Sequence, residues 1–170
     1  MTNYIINLNK INNSRHSFNF NVNDAFFKEF VNSEITSGEI LINLDIKKKN
    51  ENFHFLFKLK GVITNIKCDI CAEYISLPVQ FSTNIIVQRT DKELEDTDEI
   101  IYISKTKNEI SIKHLLFELI TLSMPSRRRH EEKDKNGCNK EMITLIKKYA
   151  NQKSYLDDSR WETLKKLKLK

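Results

Sequence analysis

Glycine is scarce: Gly38, Gly61 and Gly137 are the only three in 170 residues. Glycine-rich phosphate loops bring backbone up to phosphate with no side chains in the way, so this chain has no material for a Walker-type or dinucleotide-binding loop. Nucleotide-driven chemistry is therefore disfavoured. Cysteine is also sparse and odd in number, with three residues, and the start MTNYIINLNKINN lacks the basic and apolar regions of a secretory leader. That combination argues against a disulfide framework and for free thiols or metal ligands. No apolar run approaches the roughly 20 residues of a membrane span. We therefore expect a cytoplasmic protein with no membrane partner. The histidines His16, His54, His114 and His130 are dispersed, and no HExxH, GxSxG or clustered carboxylate pair supplies a nucleophile with its base. The expectation is a protein that is not an enzyme.

Hydrophobic residues make up 39% and charged residues 30%, enough apolar content for one core and too much for global disorder. The formal net charge is +5, and it is unevenly placed. Residues 127–170 hold fourteen of the 28 Lys and Arg but only seven of the 23 Asp and Glu, so this quarter carries +7 and the rest −2. A basic terminal segment on a near-neutral body suits a polyanion binder, although lysine-rich solvated helices give the same count. The division reads as a β-rich body over 1–125 and a basic loop with C-terminal helices over 126–170.

Residues 4–8 and 16–22 alternate apolar with polar and predict an opening hairpin, followed by a short helix over 24–31 with Phe26, Phe27 and Phe30 on one face and Asn23 or Asp24 as its cap. Residues 38–48 and 52–66 alternate at period two around a polar turn at 49–51, which predicts a long antiparallel hairpin with Phe53, Phe55, Phe57 and Leu59 on one face. Gly61 marks a bulge or bend there. Residues 74–89 resume a strand, so Cys68-x-x-Cys71 falls at a strand-to-strand turn. An acidic stretch, 90–99, reads as a mobile surface loop, and 100–104 as an edge strand. A helical stripe through Ile112, Leu115, Leu116, Leu119 and Ile120, capped by Ser111 and stopped before Met124-Pro125, should cover the sheet. Two basic amphipathic helices are expected over 140–150 and 160–169.

Two residues between thiols let both sulfurs reach one tetrahedral ion from a tight turn. Cys68 and Cys71 make half a site, and the other half has to come from His130 and Cys138, with seven residues between them in a loop containing Gly137. A structural zinc ion held by Cys68, Cys71, His130 and Cys138 is one reading. Reduced thiols in a simple turn are the other. Redox chemistry of the thioredoxin type wants the first cysteine to open a helix, whereas here strands flank the pair. The Arg127-Arg128-Arg129-His130 cluster follows Pro125 and suits phosphates, since guanidinium forks hold phosphate oxygens bidentately. Its neutral alternative is a solvated run balanced by Glu131, Glu132 and Asp134. Lys147 and Lys148, and Arg160, Lys165 and Lys166, add cations on the two expected helices. Trp161, with Leu164 and Leu167, either docks the last helix onto the body or meets a partner.

Three stretches together resemble the YceD family of large ribosomal RNA subunit accumulation proteins. They are Lys60-Gly61-Val62-Ile63-Thr64 running into Cys68-Asp69-Ile70-Cys71, the helix before Met124-Pro125, and Asp158-Ser159-Arg160-Trp161 with Leu164 and Leu167. The chain departs from the family pattern at Ile70, where Arg is frequent, at Ser159, where Pro is usual, and in lacking a second C-terminal CxxC. His130 and Cys138 would have to substitute for that pair. The resemblance implies a non-enzymatic ribosome-assembly factor that binds large-subunit ribosomal RNA, a precursor ribosomal particle or protein factors of assembly. A protein–protein adaptor with a structural zinc site and no RNA contact is the alternative. The fold expected is α+β: an antiparallel sheet, open to barrel-like closure, with a covering helix and basic C-terminal helices.

Overall fold

The computed structural model describes residues 4–130 and 137–150. Among them the elements run β1 (Ile5–Asn7), a 3-10 turn (Leu8–Lys10), β2 (Arg15–Val22), α1 (Asp24–Phe27), β3 (Ser37–Lys49), β4 (Asn52–Lys67), β5 (Tyr74–Thr90), β6 (Ile100–Ser104), β7 (Glu109–Ser111), α2 (Lys113–Leu122) and α3 (Lys140–Ala150). Five strands form one sheet in the order β2-β3-β4-β5-β6, and β1 pairs with β7 in a separate ribbon. The class is α+β, with a mostly antiparallel sheet.

The long hairpin forms as the alternation demands, from Lys49 opposite Asn52 to Ser37 opposite Thr64. Its two-residue turn works because Asn50 accepts a positive φ of 56°, which asparagine tolerates better than other side chains. Ile40, Ile42, Leu44 and Ile46 of β3 and Phe53, Phe55, Phe57 and Leu59 of β4 are all buried on one face. They join Phe26 and Phe27 of α1, Ile6 of β1 and Leu116, Leu119 and Ile120 of α2 in a single cluster. Each fully buried side chain of this size contributes about 1.5–3 kcal/mol. Asn23 caps α1 by accepting the Ala25 N–H at 3.1 Å. Phe30, just beyond α1, stacks on Phe117 of α2 with centroids 4.0 Å apart, which ties the two covering helices together.

Five expectations need correction. The sheet is open rather than barrel-like: β2 and β6 are its edges and do not pair with one another, so five strands leave the sheet unclosed. β6 also lies parallel to β5, with Ile86 opposite Ile100 and Thr90 opposite Ser104, because the acidic stretch carries the chain back along β5 before the new strand starts. That stretch is exposed, and Asp96 accepts the Tyr102 N–H at 2.7 Å in the middle of β6. Residues 4–8 do not form a hairpin with 16–22; Ile5–Asn7 pair with Glu109–Ser111 instead, where Ile6 is buried. That pairing takes Ser111, so α2 begins at Lys113 without a side-chain cap. Finally, the bulge lies between Ile63 and Ile66 rather than at Gly61, whose role is close approach. A Cβ there would sit 2.1 Å from the Glu39 carbonyl oxygen of β3.

No helix among the described residues is long and apolar enough to cross a membrane. α3 buries none of its residues among those described.

Candidate metal centre

The bulge in β4 sets up the site. Between Ile63 and Ile66 one extra residue enters β4 relative to β5, and Asn65 takes a positive φ of 58°. A strand's side chains alternate between faces, so one inserted residue reverses which face the following positions occupy. Ile66 and Cys68 thereby turn inward and are buried. The chain then reverses through a tight turn in which the Ala72 N–H donates to the Cys68 carbonyl at 2.9 Å and the Cys68 N–H to the Glu73 carbonyl at 2.8 Å. Ala72 has a φ of 61°, which completes the reversal and presents Cys71, also buried, beside Cys68.

His130 and Cys138 arrive from the other side. The donor atoms of Cys68, Cys71, His130 and Cys138 all lie within 4.8 Å of one another. Cys68 Sγ is 3.7 Å from Cys138 Sγ, and Cys71 Sγ is 3.3 Å from His130 Nε2. In a tetrahedron with metal–sulfur bonds of about 2.3 Å and a metal–nitrogen bond of about 2.0 Å, the edges come to roughly 3.8 Å between sulfurs and roughly 3.5 Å from sulfur to nitrogen. The four donors can hold one metal ion, and a Cys3His set of this size matches zinc.

The electrostatics also favour thiolate at one corner. Burial pushes the Cys68 thiol up, but N–H groups of Cys71, Ile70 and His130 directed at its sulfur outweigh it and bring the pKa down to about 7. Cys138 behaves oppositely: burial first, then the neighbouring Cys68 and Cys71 thiols, push it up to about 11. Three thiols crowded without a cation cannot all ionise, and a bound divalent ion removes that conflict.

The segment carrying His130 is held to the cysteine turn by main-chain and side-chain bonds. The Asp69 N–H donates to the Arg128 carbonyl at 2.8 Å, and the Arg128 N–H donates to an Asp69 carboxylate oxygen at 2.7 Å. The Arg128 guanidinium reaches Glu34 at 2.6 Å and Asp69 at 3.5 Å, and both carboxylates raise its pKa, Glu34 foremost. On the Cys138 side, the Asn139 side-chain amide donates to Glu73 at 2.9 Å. Glu34, Glu73 and Asn139 carried no motif in the sequence, and the pairing of Asp69, inside the cysteine motif, with Arg128 was not visible there either, since these partners are 59 to 94 positions apart.

The residues expected to contact RNA separate into three groups. Arg127 and Arg129 are exposed beside the centre, and Arg128 is half-buried in its carboxylate pairs. Lys147 and Lys148 are exposed in the last turn of α3. Arg160, Lys165, Lys166 and Trp161 lie outside the described residues.

A family model described as "Large ribosomal RNA subunit accumulation protein YceD" matches residues 56–168. No curated protein and no solved structure matches the chain. The matched span runs from the second strand of the long hairpin through all four metal-binding candidates. This chain belongs to the YceD family of large ribosomal RNA subunit accumulation proteins.

Proposed function

We propose that the protein is a non-enzymatic, cytoplasmic ribosome-assembly factor that supports accumulation of large-subunit ribosomal RNA by binding precursor RNA or the assembling large subunit. The observation that carries this reading is the family match over residues 56–168. The chain works in two parts: a β-rich body over 1–125 and a basic extension over 126–170. A zinc ion at Cys68, Cys71, His130 and Cys138 supplies a structural cross-link between them, with no reaction at the metal. Arg128 acts as a strut through Glu34 and Asp69. Arg127 and Arg129 take phosphates, joined by Lys147, Lys148, Arg160, Lys165 and Lys166, with Trp161 anchoring the last helix or meeting the partner.

The test is sedimentation of the tagged protein from lysate on ribosome gradients at low and high salt, with and without nuclease, followed by sequencing of co-purifying RNA. Comigration with large-subunit precursors that salt abolishes supports the proposal. Protein that stays at the top in every condition, with no RNA enriched, refutes it. A second reading, a protein adaptor without RNA contact, draws on α3, whose Met142, Leu145, Ile146 and Tyr149 share one exposed apolar stripe. Association that is insensitive to salt and nuclease would select it.

A further inference from the structure

The body's near-neutral count conceals a local concentration of positive charge. Alternation in β3 and β4 sends Ile40 to Ile46 and Phe53 to Leu59 into the core and turns Lys47, Lys58 and Lys60 to the opposite, open face, where all three are exposed. Body acids meanwhile collect in the 91–99 stretch. On this open face the strands enclose a groove of about 830 Å³, lined by Asn19, Asn21, Leu41, Lys58, Lys60 and Gln80 among others.

The cross-strand neighbours leave these charges without a direct partner, Lys58 being engaged only by a through-space attraction to Asp45. Opposite charges facing one another across strands stabilise a sheet, and like charges directly opposite destabilise it. Lys58 stands between Asn43 and Ser82, and Lys60 between Leu41 and Gln80, so neither has a carboxylate directly opposite. Lys47 stands between Arg15 and His54. None of the three lysines makes an ion pair among the described residues. Two carboxylates share the face. Asp45 is bound by Arg15 and Ser17, and Glu39 lies beyond the lysines, opposite Val62.

We propose that this open sheet face is a docking surface for the RNA phosphate backbone, with Lys47, Lys58 and Lys60 as its cationic contacts. The proposal rests on the RNA-binding reading above and adds a second surface to the basic extension. Lys58 and Lys60 are two residues apart on one strand, about 7 Å, the scale on which phosphates repeat along a strand. Asn19, Asn21, Gln80 and Ser82 supply hydrogen-bonding groups for phosphate and 2′-hydroxyl oxygens. The aromatic side chains nearest the groove, Phe20 and Phe81, belong to the core face, so no base-stacking platform is offered. Recognition here is by charge and shape, independent of sequence.

The experiment uses the full chain with two probes, a fluorescein-labelled oligouridylate and an RNA duplex, and measures affinity across a salt series for the wild type, K47Q/K58Q/K60Q and R127Q/R129Q. At roughly 0.7 to 0.9 counterions per phosphate contact, losing three contacts makes the log–log salt slope shallower by about 2 to 3 and weakens binding roughly 100-fold near ~0.1 M salt. An unchanged urea midpoint shows that the glutamine variant still folds, and K47R/K58R/K60R should keep the wild-type slope. If the wild type binds and the triple glutamine variant matches it in affinity and slope, the sheet-face assignment is overturned while RNA binding stands. If the wild type binds neither probe at any salt, the RNA-binding reading itself falls. If the glutamine variant keeps RNA affinity but loses its hold on nuclease-treated ribosomal particles, the face docks protein and the RNA assignment is overturned.

Discussion

Stripping the proposed zinc ion should cost a calculable amount of stability. The cluster links Cys71 to His130 across 59 positions and Cys68 to Cys138 across 70. In the chain-entropy treatment of cross-links, closing a loop of that length removes about 4 kcal/mol of denatured-state freedom, a ceiling that native-state strain reduces. Against a total of roughly 5–15 kcal/mol for a domain, that is a large share. With a urea dependence of about 2 kcal/mol per molar, the unfolding midpoint should fall by about 2 M on removal of the ion. Two measurements check this: elemental analysis of the purified full chain, and urea unfolding by circular dichroism before and after a strong chelator. One zinc per chain and the midpoint drop are expected, and Cys71→Ser should resemble the stripped protein without any chelator. A chain purified without zinc, or stripped and loaded samples with superimposable curves, refutes the cross-link argument.

Arg128→Gln, which leaves all four ligands in place but removes the bridge to Glu34 and Asp69, should weaken zinc binding by about 10- to 100-fold in competition with a chromogenic chelator. Gly61→Ala should destabilise by about 3 kcal/mol in urea unfolding, because the new methyl meets main chain of β3 at 2.1 and 2.6 Å and the strands must separate. Gly137→Ala, at a φ of 52° with open space around it, should cost about 1 kcal/mol. Asp45 is held below the usual carboxylate range by hydrogen bonds from Arg15 and then Ser17. Its folded value lies under its unfolded one, so the stabilisation is present above the unfolded value near ~3.9 and is lost as pH falls through the folded value. Asp45→Asn should therefore be less stable than the wild type at neutral pH, with a gap in urea midpoint that closes in strong acid; a gap that stays constant would contradict it.

Much of the site was legible because its parts are local. Cys68-x-x-Cys71 announces itself by spacing, and with one further cysteine in the chain, Cys138 and the nearby His130 were natural candidates for the remaining ligands. The geometry that unites them was not legible. It needs the bulge at Asn65 to turn Cys68 inward, and it needs the Arg128–Asp69 and Asn139–Glu73 bonds to seat the second pair. Charge was misleading in a similar way. Summed along the chain, the basic character belongs to residues 127–170, while Lys47, Lys58 and Lys60 disappear into a neutral average until the sheet sorts these three onto one face.

Hydrophobic alternation by itself determined the long hairpin, the turn that bears the cysteines and the α3 helix over 140–150, because each depends on neighbours a few residues away and on the period-2 or period-3.6 pattern they share. Tertiary structure alone decided that the sheet stays open, that β6 runs parallel, and that residues 5–7 pair with 109–111 rather than with β2. Those outcomes are set by which edges can bury Ile6, Ile103 and the face of α2 together. That competition among distant segments for one core leaves no local trace in the chain.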